Sequence, residues 1–500
     1  MTYKSLFTQS VAHLLIPFLL FSIGFLRLYV AIMVVSCALH SFLHVIAQSD
    51  FRNEKGLPFW QLGGTSIVAF FICFLVGLSG YWSQSYDWIV KNPLLNDLTL
   101  SPWPLMIDFA EADADIQSLC GEGQVAFIYY LFYYLPAAWV GSLFGSTSVS
   151  RLALFLWSAY GLVLVLCWFL HWLSPEETIN RRKSLFALLL FVCWGGMDIV
   201  GMCFKVLYFG REIPSLSSLP LLDSWSLPFF MYHSSLASLY WCFNQCIPLW
   251  LITIMILNCC EHRFVLFLYS FTILYSPWGA MGLLPIVVAL CLNEMKQRGW
   301  GEVKSLLNFA NAGFPLLLLV VVGSYYASNN TPIAESGFIW QFWELGEWVL
   351  VYATFLLVEI GIYVWMMREE LKHSYLLVIT IGTLVVIPLY KMNYANDFVL
   401  RASIPALFIL FVIWTKWCIV HCHQQKWTIF SFCLICSLGS LHLIGFNAFR
   451  TLHQGRPDTY YENERFSNGD NVKLAILGNA QFYAKGYKNT FFWKYLAKNN

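Results

Sequence analysis

Residues 63–80, GGTSIVAFFICFLVGLSG, lead directly into residues 81–123, YWSQSYDWIVKNPLLNDLTLSPWPLMIDFAEADADIQSLCGEG. The first stretch has no charged side chain and is long enough to cross the hydrocarbon of a bilayer as a helix. The second carries seven carboxylates, one lysine and three tryptophans. Tryptophan side chains settle at the depth of the lipid headgroups. The two stretches together predict a membrane-spanning helix followed by a long acidic loop at the membrane surface.

Similar apolar runs recur along the whole 500-residue chain, separated by polar connectors. Apolar residues make up 59% of the chain and charged residues 11%, whereas about 25% of a soluble domain is charged. A run of about 17 to 25 apolar residues crosses the membrane as a helix whose backbone polar groups are paired within the segment. We therefore predict an all-α polytopic transmembrane protein with 12 or 13 spans. Twelve of the predicted spans are Val11–Leu26, Leu28–Ala47, Gly63–Gly80, Gln124–Gly145, Arg151–Trp172, Ser184–Cys203, Phe243–Cys260, Phe309–Ala327, Glu347–Met367, Ser374–Tyr390, Ala402–Val420 and Thr428–Phe446.

One further apolar segment, Phe264–Leu292, is interrupted at residues 276–279 by the sequence SPWG. This segment is either one kinked helix or two half-helices. Broken helices at membrane depth occur where protein or water covers the broken backbone. The interruption therefore indicates a cavity.

The spans define one transmembrane domain, residues 1–446. It contains the acidic external loop 81–123, in which we expect interfacial helices, and a polar region at 204–242 that is either re-entrant or interfacial. Residues 447–500 are predicted to form a short polar tail with more basic than acidic side chains.

Lysine and arginine accumulate in the short cytoplasmic loops of membrane proteins. The connectors predicted on this basis to be cytoplasmic contain Arg52 and Lys55, Lys296, Arg298 and Lys304, Arg368 and Lys372, and Lys416 and Lys426. Alternation of the spans then places the loops 81–123, 328–346 and 391–401 together on the outer face. Arg181, Arg182 and Lys183 would be external if both preceding spans were complete, so one span in this part of the chain is miscounted.

The first candidate site lies in the acidic loop, where Asp87 is followed one helical turn later by Lys91. The Asp87 carboxylate is suited to act as a general base that accepts a proton from an attacking hydroxyl, with Lys91 as a contact for an anion. The alternative is a solvated ion pair on a helix surface. The acids from Asp108 to Asp115 have no basic neighbour and are interpreted as a solvated or cation-attracting run.

The second candidate site lies in the outer loop from Lys391 to Arg401. Asp397 and Arg401 are four residues apart, a spacing at which they pair on one face of a helix. A guanidinium offers two parallel hydrogen bonds to phosphate, and Lys391 adds a point charge, so a lipid-linked phosphate is a suitable ligand. The alternative is an ion pair that only neutralises two charges.

A third group of polar residues lies in the centre of the chain. Asp198 follows an apolar run and His233 lies in a polar stretch. Ionisable groups near membrane depth are costly and are functional candidates for that reason, so we assign both as catalytic candidates, with Asn244 and Gln245 as substrate contacts. The alternative for His233 is a structural role with satisfied hydrogen bonds.

The sequence contains no phosphate-binding glycine loop, nucleophile elbow or HExxH motif. The triplet His421-Cys422-His423 supplies adjacent rather than convergent ligands, so we expect no metal site and no cofactor. A divalent cation is compatible with the acidic loop, but nothing indicates one. The net charge of +1 gives no reason to expect a nucleic-acid partner.

One pattern extends over about residues 63–151. It comprises a span ending at Gly80, a loop with Asp87, Lys91, Asn92 and Asp97, then Trp103-Pro104, Tyr129-Tyr130, Pro136 and Arg151. This pattern resembles the first half of the GT-C-type integral-membrane glycosyltransferases and related bacterial membrane proteins. The resemblance implies a long first external loop with an essential acid and a polyprenyl-phosphate sugar donor. It adds Asn92 and Asp97 to Lys91 as substrate- or phosphate-binding residues.

We therefore expect a glycosyltransferase of a bacterial inner membrane that modifies or extends a cell-envelope glycan. Its partners are a lipid-linked sugar donor, a glycan or lipid-linked acceptor, and membrane lipids. A glycan hydroxyl attacks the anomeric carbon, with Asp87 as base and with Arg401 and Lys391 on the departing phosphate. Two alternatives stay open. One is an O-antigen or capsule polymerase of a different fold, and the other is a lipid-linked glycan transporter whose site lies at the break near residue 276.

Overall fold

The computed structural model describes residues 1–49, 56–78, 80, 82–111, 114–121, 123–175, 179–210, 222–258, 264–299, 308–329, 335–393, 396–453 and 480–498. The helices in these ranges are α1 Tyr3–Phe25, α2 Leu28–Gln48, α3 Phe59–Leu75, α4 Trp88–Leu100, α5 Ala114–Cys120, α6 Leu135–Leu143, α7 Thr147–Leu173, α8 Arg181–Cys193, α9 Asp198–Phe209, α10 Ser235–Asn258, α11 Val265–Tyr275, α12 Pro277–Arg298, α13 Phe309–Ala327, α14 Leu345–Met366, α15 Tyr375–Leu389, α16 Asp397–His421 and α17 Lys426–His453. The strands are β1 Met106–Asp108, β2 Gln124–Phe127, β3 Ser336–Phe338, β4 Tyr390–Met392 and β5 Tyr483–Ala484.

The protein is an integral membrane protein built from helices, as predicted. Within the described ranges, ten helices are long and apolar enough to cross a membrane, counting α8 and α9 as one, and three shorter apolar helices accompany them. Many large apolar side chains point outward along these helices, among them Ile32 in α2 and Ile67 in α3, which are 60% and 73% exposed. Such exposure suits a surface that contacts lipid. The prediction of an all-α fold overlooked the five short strands.

The long helices run in alternating directions between two ends of the bundle. The Tyr3 and His171 rings lie 3.9 Å apart, so the start of α1 lies beside the end of α7. At the other end, the Lys498 amide donates to the carbonyl of Phe25 (2.9 Å). We call this second end the loop face, formed by residues 82–111, 114–121, 123–146, 335–344, 390–393, 396 and 480–498. Arg52, Lys55, Asp113 and Lys304, which the sequence analysis placed in loops, lie outside the described residues.

The predicted span Gln124–Gly145 is wrong. Residues 124–127 form β2 and residues 135–143 form α6, whose nine residues rise about 14 Å, half of the hydrocarbon thickness. The apolar character of this stretch reflects burial inside the protein, because Tyr133 and Tyr134 are packed in the core. Helix α6 lies directly against α7, where a Cβ on Gly141 would be 2.5 Å from that of Ser150.

Removing that span resolves the position of the basic residues 181–183. The Leu57 amide donates to the Met1 carbonyl (2.7 Å), which places the start of α3 at the end of the bundle opposite the loop face. The Arg181 guanidinium lies 5.5 Å above the ring of Trp60 in α3. Arg181 therefore lies at the same end as the other basic connectors, as the distribution of lysine and arginine requires.

The segment Phe264–Leu292 consists of two helices rather than one kinked helix. Ser276 is extended (φ −159°, ψ 99°) and its hydroxyl accepts a hydrogen bond from the Gly279 amide (3.1 Å), which starts α12. The Tyr269 hydroxyl donates to the Ala280 carbonyl (2.9 Å) across the break. In one continuous helix these residues would be about 16 Å apart, so α11 and α12 fold against each other.

Irregular backbone also enters the bundle between α9 and α10. Residues 229–234 are buried, and the Phe230 ring lies 5.1 Å from that of Phe355 in α14. The Tyr232 hydroxyl donates to the carbonyl of Leu384 in α15. Non-helical backbone at this depth is tolerated because protein surrounds it.

Two small sheets lie on the loop face. Strand β2 pairs antiparallel with both β1 and β5, and β3 pairs with β4. The Ile128 amide extends the β2–β5 pairing by donating to the Phe482 carbonyl (2.9 Å). The part of the predicted polar tail at 480–498 thus packs onto the loop face, and α17 continues to His453 rather than ending at Phe446.

Candidate functional site

A cavity of about 880 Å³ opens at the loop face. Its wall combines α4, the β2–α6 connection, the segment before α10, the start of α12, the start of α16 and residues 481–482. The polar and aromatic side chains that line it include Asp87, Tyr129, Tyr130, Asp223, His233, Trp241, Trp278, Asn329, Asn393, Asp397, Arg401, Gln481 and Phe482. The cavity therefore brings together four sequence-predicted residues from three distant parts of the chain, namely Asp87, His233, Asp397 and Arg401.

Asp87 precedes the first residue of α4 and keeps a 42% exposed side chain on the cavity wall. Its Oδ2 lies 3.5 Å from the ammonium of Lys91, one helical turn later. Lys91 is buried, donates to the Trp241 carbonyl, and lies 5.5 Å from the Phe243 ring. Lys91 therefore supports Asp87 from inside the protein and does not line the cavity.

Arg401 and Asp397 form the salt bridge that their spacing predicts. Asn393 adds a hydrogen bond from its Nδ2 to Oδ2 of Asp397 (2.7 Å). The buried Nε of Arg401 has no hydrogen-bond partner within the described part of the chain. Because the guanidinium lines the cavity, it keeps donor capacity for an anionic group there.

Two tyrosines, Tyr129 and Tyr130, line the same cavity. Burial raises the pKa of Tyr129, the Asp87 carboxylate raises it further, and Arg401 acts in the opposite direction. Burial likewise raises the pKa of Tyr130, again opposed by Arg401. Both side chains are therefore neutral phenols that donate hydrogen bonds to a ligand. The sequence showed them only as an aromatic pair in the resemblance.

His233 lies on the cavity wall with its Nε2 3.8 Å from Oδ2 of Asp223. Asp198 lies deeper, beside Glu359, and does not line the cavity. The structure thus separates the two central residues that the sequence grouped as catalytic. Glu359 was missed because a single glutamate inside an apolar run has no neighbouring motif to mark it.

The remaining predicted contacts lie away from the cavity wall. Asn92 donates to Oε1 of Gln84 (2.9 Å), and Asp97 is buried beside Tyr483. Asn244 and Gln245 are buried within α10.

Lys391 also points away from the cavity. It lies in β4, where its Nζ is 2.8 Å from Oε2 of Glu335, and it approaches the rings of Phe342 and Trp343 to within 5.0 and 5.3 Å. The phosphate contact expected from Lys391 is therefore not part of the cavity wall.

No group of three or more His, Cys, Asp and Glu side chains in the described ranges is arranged to hold a metal ion. No protein-family model matches the chain, and no characterised protein or solved structure similar to it was found. The geometry of the cavity is therefore the basis for a functional assignment.

Proposed function

We propose that the protein is a glycosyltransferase of a bacterial inner membrane that uses a polyprenyl-phosphate-linked sugar to modify or extend a cell-envelope glycan. The observation that carries this proposal is that the Asp87 carboxylate and the Arg401 guanidinium both line one cavity. A base and an anion-binding group facing one space are what glycosyl transfer from a phosphate requires.

The reaction is a single displacement at the anomeric carbon. A hydroxyl of the acceptor glycan forms the new C–O bond while the bond from the anomeric carbon to the phosphate oxygen breaks. Asp87 accepts the hydroxyl proton, and the polyprenyl phosphate leaves with the electron pair of the broken bond. Arg401 binds the departing phosphate through its guanidinium, while Asp397 holds that guanidinium in place.

The size and position of the cavity suit this substrate. About 880 Å³ falls within the range of pockets that bind small ligands and accommodates a sugar phosphate. The cavity opens at an end of a membrane-spanning bundle, where a lipid-anchored phosphate lies at headgroup depth. Its aromatic lining, including Tyr129, Trp278 and Phe482, offers flat apolar surfaces for the faces of sugar rings.

The two alternatives differ in their use of the same cavity. A glycan polymerase of another fold shares the substrates, and a lipid-linked glycan transporter moves the ligand without cleaving it. A transporter requires no exposed carboxylate opposite the phosphate-binding group, which is why Asp87 favours glycosyl transfer over transport. A polymerase would use the same base and differs from the proposed enzyme in fold.

The test measures transfer by purified protein in liposomes that carry polyprenyl-phosphate hexoses and a lipid-linked oligosaccharide acceptor on the accessible face. Formation of extended acceptor together with free polyprenyl phosphate supports the proposal. No transfer, combined with movement of the intact lipid-linked sugar between leaflets, favours the transporter. Envelope glycans from cells that carry only an Asp87→Asn variant give an independent readout.

A further inference from the structure

Three buried carboxyl groups lie in the interior beside the cavity, with Asp223 on its wall. Asp198 and Glu359 are neighbours, because a Cβ on Gly195 would lie 3.6 Å from Oδ2 of Asp198 and the adjacent Gly196 lies against Glu359. Asp198 is at the start of α9, Asp223 is in the turn before α10, and Glu359 is in α14; their exposures are 1%, 5% and 4%. Asp198 lies against Gly439, which is 13 residues from the start of α17 and thus about 20 Å from that end of the helix. The group is therefore at membrane depth.

Glycines in two segments of the chain make room for the side chains of Asp198 and Glu359. A Cβ on Gly196 would lie 1.9 Å from Oε2 of Glu359, and a Cβ on Gly439 would lie 2.2 Å from Oδ2 of Asp198. Nε1 of Trp225 donates to Oε1 of Glu359 (2.8 Å). The carboxyl groups thus occupy a built pocket in which the backbone leaves room for them.

Within the described part of the chain, the three carboxyls have no lysine or arginine partner. None of them forms an ion pair with either residue type there, and neither oxygen of Asp198 accepts a hydrogen bond. The nearby titratable side chains are Tyr232 and His233 on the same segment as Asp223, Tyr363 on α14 and Cys436 on α17. The positive charge of Arg401 on α16 is close enough to repel a proton on His233, but Arg401 itself forms its salt bridge with Asp397.

The Tyr363 hydroxyl does not stabilise a carboxylate here, because it donates to the Gly195 carbonyl (2.6 Å). Neighbouring carboxyls in an environment of low dielectric constant cannot all be ionised without a counter-charge. The described residues offer no metal-binding arrangement to supply one. A bound proton would neutralise one negative charge in this buried pocket of carboxyl oxygens and glycine backbone.

We propose that the cluster of Asp198, Asp223 and Glu359 is a proton-binding site. In this cluster Asp198 and Glu359 share a proton, which exchanges with the cavity through Asp223 and His233. Asp223 and His233 both line the cavity and lie 3.8 Å apart, so they connect its water to the interior. A proton enters from a cavity water molecule, passes to His233 or Asp223, and is held between Asp198 and Glu359.

The site links the charge of the protein to the contents of the cavity. A bound proton removes one negative charge from the region beside the cavity, which favours an anionic ligand such as a lipid phosphate. By linkage, an anionic ligand then favours proton binding. The coupling between proton binding and anion binding is the same whether the ligand is cleaved or transported. The proposed proton site can therefore be correct even if the protein is not a glycosyltransferase.

The test is infrared spectroscopy of the full-length protein in lipid vesicles at neutral pH. We expect a carbonyl band from protonated carboxylic acid that shifts when water is replaced by D₂O. The band weakens in Glu359→Gln and in Asp198→Asn, and it is unchanged in Glu347→Gln, which alters an exposed glutamate on the same helix. Its exchange with D₂O slows in His233→Gln.

Absence of the band from the wild-type protein overturns the proposal, even if a variant fails to fold. A band that persists at full strength in both Glu359→Gln and Asp198→Asn also overturns it. Because these amides resemble protonated acids in shape and charge, we expect both variants to unfold at nearly the same temperature as the wild-type protein. A large loss of stability in both would indicate ionised carboxylates and contradict a shared proton.

Discussion

The ammonium of Lys391 in β4 lies 2.8 Å from the carboxylate of Glu335, which is 56 residues earlier in the chain and immediately precedes β3. The Lys391 side chain is 5% exposed, whereas that of Glu335 is 61% exposed. This pair joins two segments of the loop face, and it uses the positive charge that the sequence analysis assigned to binding a phosphate.

The asymmetric burial of the pair predicts unequal effects of its two mutations. Glu335→Gln leaves a buried ammonium without its counter-charge and should cost about 1–3 kcal/mol of stability. Lys391→Met leaves a solvated glutamate and should cost less than about 1 kcal/mol, with unchanged affinity for the donor. Thermal unfolding in detergent and the KM for donor measure both effects. A large rise in that KM for Lys391→Met would restore Lys391 to the binding site.

Asp87→Asn should lower glycosyl transfer by about a hundredfold or more, because the amide cannot accept the proton of the attacking hydroxyl. The amount of protein in the membrane should be unchanged. Asp108→Asn is the matched control in the same acidic loop, since Asp108 is exposed and caps a local turn by accepting from the Ala110 amide (2.9 Å). If Asp87→Asn transferred sugar as fast as Asp108→Asn does, Asp87 would not be the catalytic base.

Arg401→Lys tests whether the guanidinium binds a phosphate. It keeps the charge but loses Nε, so kcat/KM for the donor should fall about ten- to hundredfold. If Arg401 only pairs with Asp397, the lysine variant should be nearly normal. In that case the double variant Arg401→Leu, Asp397→Leu should also be milder than either single leucine variant, because no unpaired charge stays buried.

Phe482→Ala tests the contribution of residues 480–498 to the cavity. The Phe482 ring packs edge-on against Tyr129 with centroids 4.7 Å apart, and both residues line the cavity. Its loss should raise the KM for acceptor severalfold with a smaller effect on kcat. Phe491→Ala in the same segment is the control, because that ring is 53% exposed and does not line the cavity. Unchanged kinetics for Phe482→Ala would exclude it from ligand binding.

The assignment of the loop face to the cell exterior is tested with single cysteines in a cysteine-free background. Glu335→Cys and Lys485→Cys should react with a membrane-impermeant thiol reagent in intact cells, since both positions are exposed on that face. Arg182→Cys, exposed at the opposite end, should react only after the cells are opened. Labelling of residue 182 alone in intact cells would invert the orientation.

Hydropathy predicted the helical bundle because each span satisfies its own backbone hydrogen bonds, a property local to the segment. It failed at Gln124–Gly145, where apolar and aromatic residues are buried against protein and not against lipid. The Asp397–Arg401 pair was predictable since both partners lie on one helix turn. Strands of two to four residues carry too little pattern to be recognised.

The burial of the lysines was not predictable, because their partners are distant in sequence. Lys91 donates to the carbonyl of Trp241, 150 residues away, and a backbone acceptor leaves no mark on the sequence. The carboxyl groups of Asp198, Asp223 and Glu359 likewise come from three separate elements that are distant in sequence. Of the three, the sequence analysis singled out only Asp198, because ionisable groups near membrane depth are rare, and it missed Glu359.

The pairing of β2 with β5 bears on the order in which the molecule matures. A nascent chain shorter than 480 residues lacks β5, so β2 presents an unpaired edge and the cavity lacks Gln481 and Phe482. The connection between α1 and α2 also lacks its partners in such a chain, because the Arg27 guanidinium donates to the carbonyls of Lys494 and Ala497. A truncated product therefore carries an unpaired strand edge and an incomplete cavity wall.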